Sequence, residues 1–219
     1  MTDLSHPVIK ICGVRNKGVL EAAIRSGATA IGLNFVPTSR RKVDLNTARQ
    51  LKDWGSTCGA DAIAWVGVFA DTDSKTIERV RGELGLDAIQ LHGSEEPTDV
   101  SRIPGAFKAM PLSSSKDFDR LRSFPGEWIL IDAFVPDKLG GTGRCIPIDL
   151  VEAACRIRPV VVAGGLNHTN VTNLIETARP AGVDTASGAE DDQGRPCPKS
   201  TERFVKKAKL AFGNLTVGQ

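Results

Sequence analysis

Short apolar runs alternate along the chain with longer stretches whose apolar residues recur at helical spacing. Val8-Ile9-Lys10-Ile11-Cys12 predicts a strand that stops at Gly13, and Asn16 is placed to cap a helix running to about Gly27. Ala30 to Phe35 predicts a second strand, and Leu45, Ala48 and Leu51 mark one face of a helix ending near Trp54. A third strand covers Ala62 to Phe69, followed by a helix capped by Asp73 or Ser74 and reaching about Leu84. The pattern repeats with strands at Ala88 to Leu91, Ala106 to Met110, Trp128 to Asp132, Pro159 to Ala163 and Gly182 to Thr185. Helices are expected between and after them over Ser94 to Ser101, Ser115 to Arg122, Pro147 to Arg156, Thr169 to Ala178 and Lys199 to Phe212. Pro147 suits a first helical position, where its missing N–H is no loss.

Eight strand–helix units imply parallel βαβ connections. They fit a closed, parallel eight-stranded (β/α)8 TIM barrel, an α/β fold, built as one domain over residues 1–219. A doubly wound open sheet has the same periodicity. The Gly, Asp and Ser residues that follow the strands favour the barrel, whose site is assembled from those ends. The long piece without periodicity, Phe134 to Cys145, reads as a closing loop over that site.

Composition narrows the function. With 41% hydrophobic residues, the 219-residue chain can bury a substantial core. Lys and Arg number 28 against 26 Asp and Glu, a net charge of +2. That balance argues against a nucleic-acid or membrane-surface protein. The five cysteines form no CxxC pair and the three histidines are scattered, so neither a zinc site nor a disulfide framework is expected. A basic, then apolar leader is not visible, and no apolar run approaches the roughly 20 residues of a membrane span. The expectation is a cytoplasmic protein in a reducing compartment.

The strand ends supply the candidate chemistry. Ala163-Gly164-Gly165-Leu166-Asn167 and Ala186-Ser187-Gly188 follow the seventh and eighth strands, where barrels often bind phosphate on backbone N–H groups. Cys12 ends an apolar strand; it is either a small core residue or, with a lowered pKa, a base facing the site. Asp132 ends another apolar run, where partial desolvation would turn it into an acid. Arg40 and Arg41 are either a solvated pair or carry a guanidinium for a carboxylate. His92 reads first as a turn residue. Gly140-Gly141-Thr142-Gly143 lacks the GxGxxG spacing of a dinucleotide site and fits a closing loop better.

In this order, the chain resembles phosphoribosylanthranilate isomerases of tryptophan biosynthesis. The matching stretches are Lys10–Gly13, Gly32–Phe35 with Pro37–Arg41, Val66–Phe69, Gln90–Gly93, Ile131–Ala133, Gly140–Gly143, Ala163–Asn167, and Gly182–Asp184 with Ser187-Gly188. The resemblance implies a (β/α)8 barrel and an Amadori rearrangement by general acid–base catalysis, with no metal or organic cofactor. It implies Cys12 as base, Asp132 as acid and Arg41 as binder of the anthranilate carboxylate. Gln90, His92, Gly141 and Asp184 would be further substrate contacts, and Gly164, Gly165, Asn167, Ser187 and Gly188 the phosphate cradle. The implied partner is a small phosphosugar, with no nucleic acid or membrane, on a monomer or homodimer. Two positions depart from the family's usual pattern. Arg40 stands where Pro is common, and Thr185-Ala186 stands where Val-Ser is common. Another phosphosugar isomerase or epimerase, or a non-catalytic phosphate binder, would share the glycine loops but not the combination of Cys12 and Asp132.

Overall fold

The computed structural model describes residues 6–133 and 145–217. Eight parallel strands close into a barrel in chain order: β1 (Val8–Cys12), β2 (Ala30–Asn34), β3 (Ala64–Phe69), β4 (Ala88–Leu91), β5 (Ala106–Leu112), β6 (Ile129–Ala133), β7 (Val160–Val162) and β8 (Gly182–Thr185). The open-sheet alternative is therefore excluded. Closure comes from β1 pairing with both β2 and β8, in a register that sets Lys10 beside Ala30 on one side and Asp184 on the other. Helices α1 (Lys17–Ser26), α2 (Leu45–Thr57), α3 (Ser74–Leu84), α4 (Pro97–Ser101), α5 (Phe118–Ser123), α6 (Ile148–Ile157), α7 (Val171–Ala178) and α8 (Pro198–Val217) follow the strands in turn.

The strand period of two builds two cores. Outward residues such as Ile11, Ile31, Ile89 and Ile131 are fully buried against the helices. Each such side chain contributes about 2 kcal/mol of hydrophobic stabilisation. The inward set, including Val8, Ala30, Val66, Leu130 and Val161, fills the barrel. Phe107 and Trp128 stack within this inner core with ring centroids 4.1 Å apart. Above this apolar fill the inward positions turn polar, at Lys10, Gln90, Asp132 and Asp184. The apolar layer thus forms a floor and the polar layer the base of a cleft.

The helix starts follow their caps. Asn16, Asp44 and Asp73 each accept a hydrogen bond from the third residue into α1, α2 and α3. Some boundaries differ from the pattern. Residues 60–62 wind into a 3-10 turn, so β3 begins at Ala64 rather than Ala62. The helix expected from Ser94 begins at Pro97. The Gly93 and Ser94 N–H groups are captured by Glu95 and Asp71 at 2.9 and 2.7 Å, which holds this segment as a loop. The proposed closing loop, Gly141 included, lies outside the described residues. Among the described residues no helix is long and apolar enough to cross a membrane.

Candidate active site

The C-terminal ends of the strands surround one cleft with about 580 Å³ of open space. Cys12, Arg41, Gln90, His92, Asp132, Asp184, Gly164, Gly165 and Ser187 all line it. These residues come from β1, β4, β6 and β8 and from the loops after β2, β7 and β8, so the fold gathers what the sequence disperses.

Asp132 sits at one wall. Its Oδ1 accepts from the Ala133 N–H at 2.8 Å, and its Oδ2 faces His92 Nε2 at 3.5 Å. Burial, with the Asp184 charge adding to it, raises the Asp132 carboxyl to about 6. His92 is pushed the other way. Burial, then the ammonium groups of Lys108 and Lys10, lower it to about 4, so the ring is neutral at physiological pH. With Gln90 Nε2 donating to Nδ1 across 3.2 Å, the ring carries its proton on Nε2, facing Asp132. Gln90 is buried, and its Oε1 has no protein partner. It is a buried acceptor left unsatisfied beside the cleft.

The opposite wall carries a fully buried ion pair. Lys10 Nζ lies 2.9 Å from Asp184 Oδ1, and the lysine is 1% exposed. Burial opposes the Lys10 charge, but Asp184 and Cys12 outweigh it and hold the ammonium above the usual lysine value. Cys12 stands beside them. Burial pushes its thiol up, although Lys10 and Arg41 pull the other way. The sequence reading made a lowered pKa the condition for a base; the structure instead leaves the resting thiol protonated, because desolvation is the larger effect.

Arg41 faces the cleft, whereas Arg40 lies at the rim with its side chain half exposed. Arg41 Nε and Nη2 bind the two oxygens of Glu190 at 2.9 and 2.8 Å, and Arg40 Nη2 reaches the same carboxylate at 2.5 Å. Glu190 was not among the expected site residues. It lies 149 positions from Arg41, and no local spacing points to it.

The glycine loops after β7 and β8 border the cleft in part. Gly164 has φ +84°, and a Cβ there would sit 2.5 Å from the Ala133 nitrogen and 2.7 Å from Asp132 Oδ1. Only glycine fits. Among the described residues the N–H groups of Gly165 and Ser187 have no acceptor, which leaves them open to an anion. Two expected members do not line the cleft. Asn167 spends its side chain on the Thr169 N–H and hydroxyl, shaping the entry to α7. The Gly188 N–H donates to Thr185 Oγ1 at 3.1 Å, and that hydroxyl donates to the Leu166 carbonyl at 2.6 Å. Thr185 thereby joins the two loops.

A second buried pair supports the β4 side. Lys108 Nζ contacts Glu95 at 3.0 Å and the carbonyls of Leu91, Gly93 and Ala109, bracing the loop that carries His92. The sequence shows Lys108 only as a charge inside an apolar strand. Among the described residues no group of three or more His, Cys, Asp or Glu could hold a metal ion.

A cleft with an acid, a thiol, a guanidinium and a glycine-lined anion corner agrees with what comparison returns. The family model described as N-(5'-phosphoribosyl)anthranilate (PRA) isomerase matches residues 9–207. The isomerase of that name from Desulforudis audaxviator is 34% identical over 209 residues, covering 94% of this chain and 99% of the relative. Its namesake from Thermotoga maritima is 34% identical over 206 residues, covering 92% and 98%. The crystal structure of the T. maritima isomerase superposes with a TM-score of 0.79 at 32% identity, covering 93% of this chain and 99% of that one. A structure of such an isomerase in complex with reduced 1-(o-carboxyphenylamino)-1-deoxyribulose 5-phosphate gives 0.76 at 31% identity over the same shares. With the family model matched over residues 9–207 and a relative 34% identical over 94% of the chain, the chain belongs to the N-(5'-phosphoribosyl)anthranilate isomerase family.

Proposed function

We propose that the chain isomerises N-(5'-phosphoribosyl)anthranilate to 1-(2-carboxyphenylamino)-1-deoxyribulose 5-phosphate, a step of tryptophan biosynthesis. The observation that carries the reading is the pairing of Asp132 and Cys12 on opposite walls of one cleft, between an anion corner and Arg41. Gly164, Gly165 and Ser187 take the phosphate and Arg41 the anthranilate carboxylate, so a flexible open-chain substrate is held at both ends. Gln90 Oε1 accepts from a substrate hydroxyl or from the anthranilate N–H. His92 holds Asp132, and Asp184 holds Lys10, so these two act on the substrate through their neighbours.

The chemistry then follows. Asp132, protonated, gives its proton to the ring oxygen as the C1'–O4' bond breaks, and the amine lone pair forms C1'=N. Cys12, as thiolate, removes the C2' proton. The C2'–H electron pair becomes C1'=C2', and the C1'=N electrons return to nitrogen. The enolamine takes a proton at C1' and loses one from O2', giving the ketone. Each general acid–base step contributes about 10²–10⁴-fold. The raised pKa of Asp132 suits it to donate.

The five cysteines are free, which supports a reducing cytoplasm as the setting. The assembly is a monomer or homodimer; a T. maritima relative is described as dimeric.

The test is a coupled assay. Substrate is generated in situ from anthranilate and phosphoribosyl pyrophosphate by the preceding transferase. The enzyme that closes the indole ring reports product as indole-glycerol phosphate. Indole formation that depends on this protein and is nearly abolished in Cys12→Ser, with KM little changed, is the expected result. A folded protein that binds ribose 5-phosphate analogues yet yields no indole belongs to another phosphosugar reaction.

A further inference from the structure

Proton abstraction by Cys12 needs a thiolate, yet burial raises the thiol above its ordinary value and the resting group is protonated. Something must favour the anion when it forms. The cationic groups near Cys12 are Arg41, committed to Glu190 through Nε and Nη2, and Lys10.

Lys10 and Cys12 are inward residues of the same strand, two positions apart, so their side chains stand one above the other. What lets them share space is Gly32 on the neighbouring strand, which pairs with Cys12 in the β1–β2 register. A Cβ on Gly32 would lie 3.1 Å from Cys12 Sγ and 3.2 Å from Lys10 Nζ. Both atoms border the one spot that the missing side chain leaves open. Lys10 Nζ donates to Asp184 Oδ1 at 2.9 Å, and its charge also acts on the Cys12 side chain. An ammonium has three donors, so the bond to Asp184 leaves it capacity for a second anion.

We propose that Lys10 is a positioning residue of the isomerisation: anchored by Asp184 and brought to Cys12 across the gap at Gly32, its ammonium stabilises the thiolate that takes the C2' proton. The inference rests on the proposed reaction. It explains why a fully buried lysine sits beneath the cleft, where a hydrophobic residue would fill the barrel without a buried charge. The other groups facing this pair are Asp132 from β6, His92 from β4 and Arg41 from the loop after β2. His92 is neutral and Asp132 is anionic in the resting site. Arg41 acts with Lys10, and Asp184 and Asp132 act against the thiolate.

The test follows iodoacetamide alkylation of the full-length protein against pH, read by mass spectrometry on the peptide carrying Cys12. Lys10→Met removes the ammonium. It also leaves Asp184 buried without a partner and can fail to fold, so Lys10→Met/Asp184→Asn, which removes both charges, is measured beside it. The expected result is a Cys12 titration midpoint raised by about one pH unit or more in Lys10→Met, with alkylation at pH 8 slowed about tenfold, and a smaller rise in the double variant, which also loses the opposing Asp184 charge. In the coupled assay kcat falls by a similar factor while KM stays within about threefold. A folded variant with the wild-type midpoint overturns the proposal, since a lysine that only filled space would leave the thiol titration in place. The two readouts separate the two claims. Absent turnover in the wild-type protein, with the midpoint still moved by the substitution, sinks the reaction and leaves the Lys10–Cys12 pairing supported. Normal wild-type turnover with an unmoved midpoint sinks the pairing alone.

Discussion

Glu190 holds Arg41 with both carboxylate oxygens, Nε to Oε1 at 2.9 Å and Nη2 to Oε2 at 2.8 Å. Both side chains are nearly buried. The grip uses one edge of the guanidinium and leaves the other free for the substrate carboxylate proposed above. Glu190→Ala frees that edge, lets the arginine swing and leaves its charge unbalanced. The expected outcome is a KM raised about tenfold with kcat changed less than about threefold, a loss of about 1.4 kcal/mol in binding. The control is a product analogue lacking the ring carboxylate. Its affinity should be nearly unaffected; an equal loss for both ligands would show that Glu190 does not act through Arg41.

The sequence made the barrel legible because its signals are local. Ile9 and Ile11 alternate with Val8, Lys10 and Cys12, and Asn16, Asp44 and Asp73 sit three residues before the N–H groups they cap. Cys12 and Asp132 were legible as site residues for the same reason, since each ends an apolar strand. The partners that tune them were not. Lys10 meets Asp184 across 174 positions and Arg41 meets Glu190 across 149, and no local spacing encodes either. The start of α4 failed likewise. Ser94 looks like a cap, but Asp71, 23 residues earlier, takes its N–H and hydroxyl. Sequence alone does not show that Asn167 accepts from Thr169 or that the Gly188 N–H donates to Thr185, because it cannot say which polar groups a loop consumes for itself.

Asp132 titrating near 6 and Cys12 pushed above its ordinary value set the pH response. The reacting form has Asp132 protonated and Cys12 ionised, one proton between the two. The dominant resting form also has one proton, on the sulfur. Below pH 6 both groups are protonated and the thiolate is lost; at high pH both are ionised and the acid is lost. A bell-shaped kcat/KM is expected, with an acid limb near pH 6 and an alkaline limb above the usual thiol value. Asp132→Asn should lose most of kcat with little change in KM, and the limb near pH 6 should give way to activity that rises with pH up to the raised Cys12 thiol value, with no alkaline limb. An acid limb that persists unchanged in the variant would assign it to another group.

The same aspartate makes stability depend on pH. Its folded pKa, about 6, lies above the unfolded value of about 3.9. A raised carboxyl contributes stability that is fully present below the unfolded value and is lost as pH rises through the folded one. Asn does not ionise and keeps an oxygen for the Ala133 N–H. Asp132→Asn is therefore expected to be the more stable protein at pH 8, by on the order of 2–3 kcal/mol. The advantage should shrink between pH 6 and 4 and vanish below. Urea unfolding at pH 4 and pH 8 measures it; a constant difference across the range would mean that the folded carboxyl titrates at its ordinary value.

Gly164 ties the anion corner to the acid. Its φ of +84° disfavours any side chain, and a Cβ would press on the Ala133 nitrogen and Asp132 Oδ1 at 2.5 and 2.7 Å. These are the two atoms that hydrogen-bond each other at 2.8 Å. Gly164→Ala therefore cannot disturb the glycine loop without moving the Asp132 carboxyl. The backbone strain is expected to cost about 1–3 kcal/mol of stability. The kinetic signature is a joint one. KM and the inhibition constant of inorganic phosphate should both rise as the Gly165 N–H turns away from the anion. At saturating substrate kcat should also fall, because Asp132 loses the Ala133 N–H and its position against His92. A variant whose phosphate inhibition weakens while kcat is retained would show that the loop gives way on the cleft side and that Asp132 is held by His92 alone.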